Sequence, residues 1–146
     1  MKEKTLLFLR ISIGLLLVVW GLDKIANPEH ATLVSDTFYF GLLSMPALLP
    51  VFGIIEIAVG VGVVLGFMRK FVYPAAILFN GVSMLAVWRH ILDPWGWYLG
   101  ETNALFFPSL IIFAGTLVIY AFQDQDATAM DAKRARAPAP SPGPGM

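Results

Sequence analysis

A carboxylate stands inside the most apolar stretch of the chain. Leu48 to Phe67 reads LLPVFGIIEIAVGVGVVLGF, and among its twenty residues only Glu56 carries a charge. As a helix at about 1.5 Å per residue, this stretch is about 30 Å long, the depth of a bilayer's hydrocarbon core. An ionised carboxylate at that depth is costly unless it is paired, protonated or wetted, so Glu56 is a candidate site residue by default. The plainer alternative is a carboxylate that only ties helices together. Gly53, Glu56 and Gly60 fall at i, i+3 and i+7, one face of a helix on which the glycines let a neighbouring backbone come close.

Lys24 is the natural partner. It closes the first apolar run, whereas Glu56 lies roughly 9–12 Å below the corresponding end of its own helix at 1.5 Å per residue. Side chains lean toward their helix's N-terminus, so on antiparallel helices these two lean toward each other. A buried or half-buried Lys24–Glu56 pair is the expectation. Arg10 lies near the opposite end of the first run, where snorkelling to the interface is the cheap solution. Its alternatives are a lipid or quinone head group, or Asn80. Asn80, Ser83, Val87 and His90 share one face of a third run. His90 is read either as a proton relay or quinone-carbonyl ligand, or as a plain interfacial residue. Arg89 and Asp93, four apart, are spaced for a local ion pair worth little. The intramembrane polar cluster is thus Glu56, Lys24, Arg10, Asn80 and His90. His30 and His90 have no second ligand at helical spacing, so no metal site is expected, and neither is placed to hold a haem. Phosphate-loop, nucleophile-elbow and dinucleotide motifs are absent from the sequence.

The elements that would position these groups are four apolar runs, at residues 5–22, 48–67, 71–88 and 104–122. The first carries Arg10, Gly14, Leu17, Gly21 and Lys24 as one stripe, which should face other helices rather than lipid. No small-x-small cleavage site follows it, so a retained helix is expected rather than a signal peptide. Residues 31–45 are too short and polar to span, and Phe38, Tyr39 and Phe40 suit a segment lying at the interface. Pro46 and Pro50 suit the entry to the second span, Pro74 the first turn of the third, and Pro108 a kink near the start of the fourth. Trp20, Tyr39, Trp88, Trp95, Trp97 and Tyr98 form an expected outer aromatic belt; Phe67, Phe71, Tyr73, Tyr120 and Phe122 form the inner one. The expected fold is all-α, a four-transmembrane-helix up-down bundle (residues 1–122) with a short interfacial segment between its first two spans. Residues 123–146, rich in proline and alanine, are expected to form a disordered cytoplasmic tail.

Composition agrees. Of 146 residues, 58% are hydrophobic and only 14% charged, with a mean hydropathy of +0.73, too apolar for a soluble domain of this size. A net charge of zero gives no case for nucleic acid. The absence of cysteine excludes disulfides and thiol relays. Lys2, Lys4, Arg69, Lys70, Lys133, Arg134 and Arg136 fall on one side of a four-span topology. The positive-inside rule then puts both termini in the cytoplasm, as a multi-pass protein of a bacterial-type inner membrane.

The opening LLFLRISIGLLLVVWGLDKI, the second-run IIEIAVGVGVVLGF and the turn Met68-Arg69-Lys70 resemble the DoxX family of small four-helix membrane proteins. The resemblance extends over nearly all of residues 5–122. It implies quinone-linked redox chemistry, because the family takes its name from a subunit of a thiosulfate:quinone oxidoreductase. The expected function is an integral accessory subunit of a quinone-linked membrane redox complex, with the bilayer and other membrane subunits as partners. No covalent cofactor is expected. A quinone would be held by Glu56, Lys24, His90 and Trp20. Two alternatives stand beside this reading: a quinone-dependent oxidoreductase acting on a small periplasmic donor, and a small-solute or lipid carrier.

Overall fold

The computed structural model describes residues 1–41 and 47–136, and among these the chain is helical, with no strand. Helix α1 spans Lys2–Ala26, α2 Pro28–Phe38, α3 Leu49–Leu65, α4 Arg69–Ala86, α5 Trp88–Leu92, α6 Pro108–Ala121 and α7 Met130–Arg136. Helix α1 and the stretch Ala104–Ala121, a 3-10 turn that runs into α6, are long and apolar enough to cross a membrane by length and composition, and α3 is a shorter apolar helix of 17 residues.

The tightest packing joins α1 to α3, and glycine makes it possible. A Cβ on Gly14 would lie 2.6 Å from the Gly60 carbonyl oxygen, and one on Gly60 would lie 2.6 Å from that of Gly14. One level up, Gly21 and Gly53 meet in the same reciprocal way, at 2.6 and 2.7 Å. Both pairs are separated by seven residues on each helix, so the seam repeats every two turns, as in a left-handed antiparallel pair. Only hydrogen fits between these backbones. Arg10, Ile13, Gly14, Leu17 and Gly21 are the buried residues of α1, as its stripe of small and charged residues predicts. Helix α4 packs on α3 and on α6, and Ile13, Leu17, Val63, Tyr73, Ala76 and Ile119 fill the space where these helices meet. Phe8, Leu15, Val19, Ile54, Leu78 and Ile111 point outward and exposed, an apolar exterior that water would not tolerate over such an area.

Punctuation follows the backbone chemistry. Gly66 ends α3 in the left-handed region (φ +63°), where its own N–H and that of Phe67 return to the last turn of the helix. Pro28, Pro50 and Pro108 each sit in the first turn of a helix, where the missing N–H costs nothing.

Several expectations need correction. Helix α4 begins at Arg69, so Pro74 lies inside it rather than in its first turn. It ends at Ala86, and Val87 breaks the chain direction before α5. The fourth run is a short 3-10 turn, Ala104–Phe106, followed by α6; Pro108 starts that helix rather than kinking it, because it has no N–H to continue a ladder from Ala104. The segment expected at the interface is helix α2 over its first part, while residues 42–46, including Pro46, lie outside the described residues. Tyr73 is buried in the core, not part of an inner belt. The largest difference concerns the tail. Residues 123–136 fold against the end of the bundle, with Asp126 and Ala129 buried. Composition misjudged this stretch because its anchors are ion pairs and helix capping rather than apolar area. Residues 137–146 lie outside the described residues.

Candidate functional site

Glu56 and Lys24 meet as their helix directions require. Lys24 Nζ donates to Glu56 Oε2 at 2.6 Å and to the Trp20 carbonyl oxygen at 3.3 Å. Glu56 is 3% exposed, whereas the lysine side chain keeps 23% of its surface open. The pair lies one turn from the Gly21–Gly53 contact. A Cβ on Gly53 would come 3.3 Å from Lys24 Cβ, so glycine here also sets how closely the lysine stem can lie against α3.

The pair forms part of the wall of a half-open cavity of ≈ 490 Å³, lined by α1, α2, α3, α4, the 3-10 turn Ala104–Phe106 and the start of α6. Trp20, Phe38, Phe52 and Phe79 give it aromatic walls. Its polar side chains are Lys24 and Glu56, Tyr39 and Ser83, the Asp23–His30 corner, and Ser35 and Ser109. Tyr39 donates its hydroxyl hydrogen to Ser83 Oγ at 3.0 Å, tying the end of α2 to α4 across the cavity. A largely apolar hollow with a few convergent polar groups is the usual form of a small-molecule site. At the α1–α2 corner, Asp23 accepts from the Asn27 amide at 3.1 Å and lies 2.7 Å from His30 Nδ1, which fixes the angle at which α2 covers the hollow.

The five residues of the expected polar cluster do not form one site. Lys24 and Glu56 line the cavity, and so does Trp20. Asn80 lies deeper, donating to Thr116 Oγ1 at 2.8 Å and linking α4 to α6; its Oδ1 has no hydrogen-bond partner. His90 does not line the cavity: its ring packs against Phe38 and Phe106, with centroids 5.6 and 4.9 Å away. Val87 (φ −104°, ψ 15°) interrupts the helix between Ser83 and His90, so the face they would share on one continuous helix is not formed. Asp93 does not turn to Arg89. Its carboxylate accepts the backbone N–H groups of Trp97, Tyr98 and Leu99, each at 2.8 Å. Burial pushes the Asp93 carboxyl upward, but those N–H donors outweigh it and hold the group below the usual carboxylate range. Arg89 instead lies over the Trp88 ring.

Arg10 is at the opposite end of the bundle and is 2% exposed, so it does not snorkel. Asp126 meets its Nε at 3.4 Å, and Nη2 donates to Thr128 Oγ1 at 3.3 Å. The partner comes from the tail, not from Asn80 or the cavity. Sequence reasoning missed this contact and missed Tyr39 and Ser83 as cavity groups. The available signals were an Asp-x-Thr turn at 126–128 and a Tyr39 that follows a short helix ready to fold over the bundle.

The DoxX family model matches residues 5–91, from α1 through α5. The chain belongs to the DoxX family. Family and apolar helices together make it a membrane protein. Phe106 and Ser109 also line the cavity, and every other residue lining it lies within the matched DoxX region, whereas α6 and the docked tail lie outside it. No curated protein and no solved structure matches the chain.

Proposed function

We propose that this DoxX protein is a four-span integral membrane subunit that holds a small, mostly apolar molecule at the Lys24–Glu56 pair. In this reading α1, α3, α4 and α6 cross the membrane, and both termini lie on the cytoplasmic side with the basic residues. The cavity is then in the outer half. The observation that carries the reading is a cavity of ≈ 490 Å³ left beside a buried ion pair instead of being filled by Phe52 or Trp20. A half-open, largely apolar hollow with a charge pair in its wall is the form a small-molecule site takes.

A quinone ring fits the donor set. Lys24 has an ammonium hydrogen to offer a carbonyl, and Tyr39 has a hydroxyl that can turn from Ser83 to a ligand oxygen. Trp20, Phe38 and Phe52 give a flat apolar ring its faces. A bound quinone would supply the electron and proton couple. The chain's own residues would bind and orient it, keep water from its faces, and hold a charged lysine against Glu56. The sequence has no cysteine for a thiol relay, and in this reading the electron donor is another subunit of a membrane redox complex. His90, packed between Phe38 and Phe106, takes no part.

The test is gentle purification from native membranes, followed by mass spectrometry of all proteins and small molecules retained. A stoichiometric quinone-class molecule together with a redox partner is the expected result. A protein isolated alone, with an empty or lipid-filled cavity, overturns the reading.

A further inference from the structure

The end of the bundle opposite the cavity holds a second set of charges, and the tail supplies its anions. Asp126 approaches buried Arg10, while its Oδ1 accepts from the Thr128 N–H at 3.0 Å and hydroxyl at 2.5 Å. Asp131 sits at the start of α4. Its Oδ1 accepts the Met68 N–H at 3.1 Å, its Oδ2 accepts the Arg69 N–H at 2.8 Å, and the Arg69 Nε is 3.8 Å away. Helix α4 has no side-chain cap of its own, so this carboxylate from the tail caps it. The backbone completes the docking: the Asp131 N–H donates to the Gly66 carbonyl oxygen at 3.2 Å, and Arg69 Nη1 donates to the Gln123 carbonyl oxygen. Gly66 must be glycine here for two reasons, its positive φ and the Arg10 Nη1 and Ala129 that a Cβ would strike.

The fit at Arg10 is incomplete. Its Nε and Nη1 are buried and make no hydrogen bond, although Asp126 lies within ion-pair distance. A guanidinium presents five donors in a planar fork and is best met by two or more acceptor oxygens. Arg10 receives one Asp126 oxygen, whose companion is committed to Thr128, and the Thr128 hydroxyl, with the Tyr73 hydroxyl beside it, and still two of its three nitrogens lack an acceptor in good hydrogen-bond geometry. A phosphate group offers more oxygens and more charge. Both receptor groups, an arginine and the N–H groups at a helix N-terminus, bind phosphate by the same physics that binds these carboxylates. Lys2, Lys4 and Lys70 stand exposed at the same end and add a positive field.

We propose that Arg10 and the N-terminus of α4, with Arg69, form a phosphate-binding site, and that Asp126 and Asp131 occupy it as internal stand-ins. Phosphate and the docked tail then exclude each other: binding of one releases the other. The phosphate can come from the headgroup of an anionic lipid or from solution. This proposal does not depend on the cavity or on what the cavity holds.

The experiment uses the full chain in nanodiscs of phosphatidylcholine, with hydrogen exchange read at residues 126–133 and native mass spectrometry of retained lipid. In wild type the tail amides should be protected. Replacing part of the lipid with phosphatidic acid should raise their exchange by roughly tenfold or more, the signature of local undocking. A parallel arm adds inorganic phosphate to the phosphatidylcholine discs. Release by the lipid alone assigns a headgroup site; release by both, or by inorganic phosphate alone, assigns a site open to soluble phosphate. The Asp126→Ala/Asp131→Ala variant should exchange rapidly without phosphate and retain more phosphatidic acid than wild type. Tail protection unchanged by either phosphate source overturns the proposal, and this arm uses wild type alone, so it stands even if the variant misfolds. A folded variant that retains no more phosphatidic acid than wild type and binds no more inorganic phosphate also overturns it.

Discussion

Replacing Gly60 with alanine probes the seam on which the rest of the bundle rests. The new methyl would lie 2.6 Å from the Gly14 carbonyl oxygen and 2.9 Å from both the backbone nitrogen and Cγ2 of Val18. Two of these three atoms are backbone, so no rotamer change relieves the clash, and α1 and α3 must part by several tenths of an ångström. The seam repeats at Gly21–Gly53, so the displacement also loosens the second contact. Overpacking of this kind costs about 1–3 kcal/mol. Gly115→Ala is the matched control. Its methyl would meet only the Cδ1 atoms of Ile13 and Leu9, each at 3.3 Å and each at the end of a flexible side chain. Alanine is also the better helix former by about 1 kcal/mol, which offsets part of any cost at both positions. The assay is reversible unfolding in mixed micelles, followed by tryptophan fluorescence and circular dichroism. With that offset, Gly60→Ala should lose up to about 2 kcal/mol net and lie about 1–3 kcal/mol below Gly115→Ala. Equal stability of the two variants would refute the claim that close backbone approach at Gly14 and Gly60 holds α1 to α3.

Glu56→Gln strands Lys24 beside a buried amide. Removing one partner of a fully buried pair costs about 3–5 kcal/mol, and because Lys24 is partly exposed and can turn to water, about 1–3 kcal/mol is expected in the same unfolding assay. The double variant Lys24→Met/Glu56→Leu should recover most of that stability and still fail to retain a polar-headed ligand, which separates packing from binding. A double-mutant cycle on Asn80→Leu and Thr116→Val should give a coupling of about 1 kcal/mol, the range for an interhelical hydrogen bond in a membrane, and zero coupling would deny that the bond forms. Asp93 orders the loop after α5 through its ionised form, and its pKa lies below the ordinary value. Its contribution is therefore complete above about pH 4 to 5 and is lost only as pH falls through the lowered folded-state value. Fluorescence from the stacked Trp95 and Trp97 should be flat from neutral pH to that range and change below it, whereas Asp93→Ala should show the changed signal at neutral pH.

The parts of this structure that are written in helical spacing were legible. The stripe of Arg10, Gly14, Leu17, Gly21 and Lys24 faces inward because charge and glycine both need protein neighbours in an apolar medium. The Lys24–Glu56 pair followed from the opposed lean of side chains on antiparallel helices. Less legible was anything that depends on how the chain turns between helices. His90 shares a helical face with Ser83 only if the helix continues, and the break at Val87 cancels that register. Tyr39 reads as an interfacial aromatic until α2 is seen folding back to give it Ser83. Arg10 reads as a snorkelling residue because its carboxylate partner, Asp126, is distant in sequence and sits in a polar stretch. Composition sees that stretch only as solvated, although two aspartates pin it to a basic site and a helix end.

Whether the cavity beside Lys24 and Glu56 is a binding site is best measured by native mass spectrometry of the purified protein, comparing wild type with a variant that fills the hollow. Ala31 lines the cavity from α2 and is well buried, so Ala31→Phe adds a ring to the cavity wall and leaves Lys24 and Glu56 unsubstituted. The prediction is one bound apolar molecule of quinone class on wild type and on the Gly115→Ala control, and none on Ala31→Phe. A wild-type protein that carries no such molecule, or an Ala31→Phe variant that carries it equally well, would contradict the assignment.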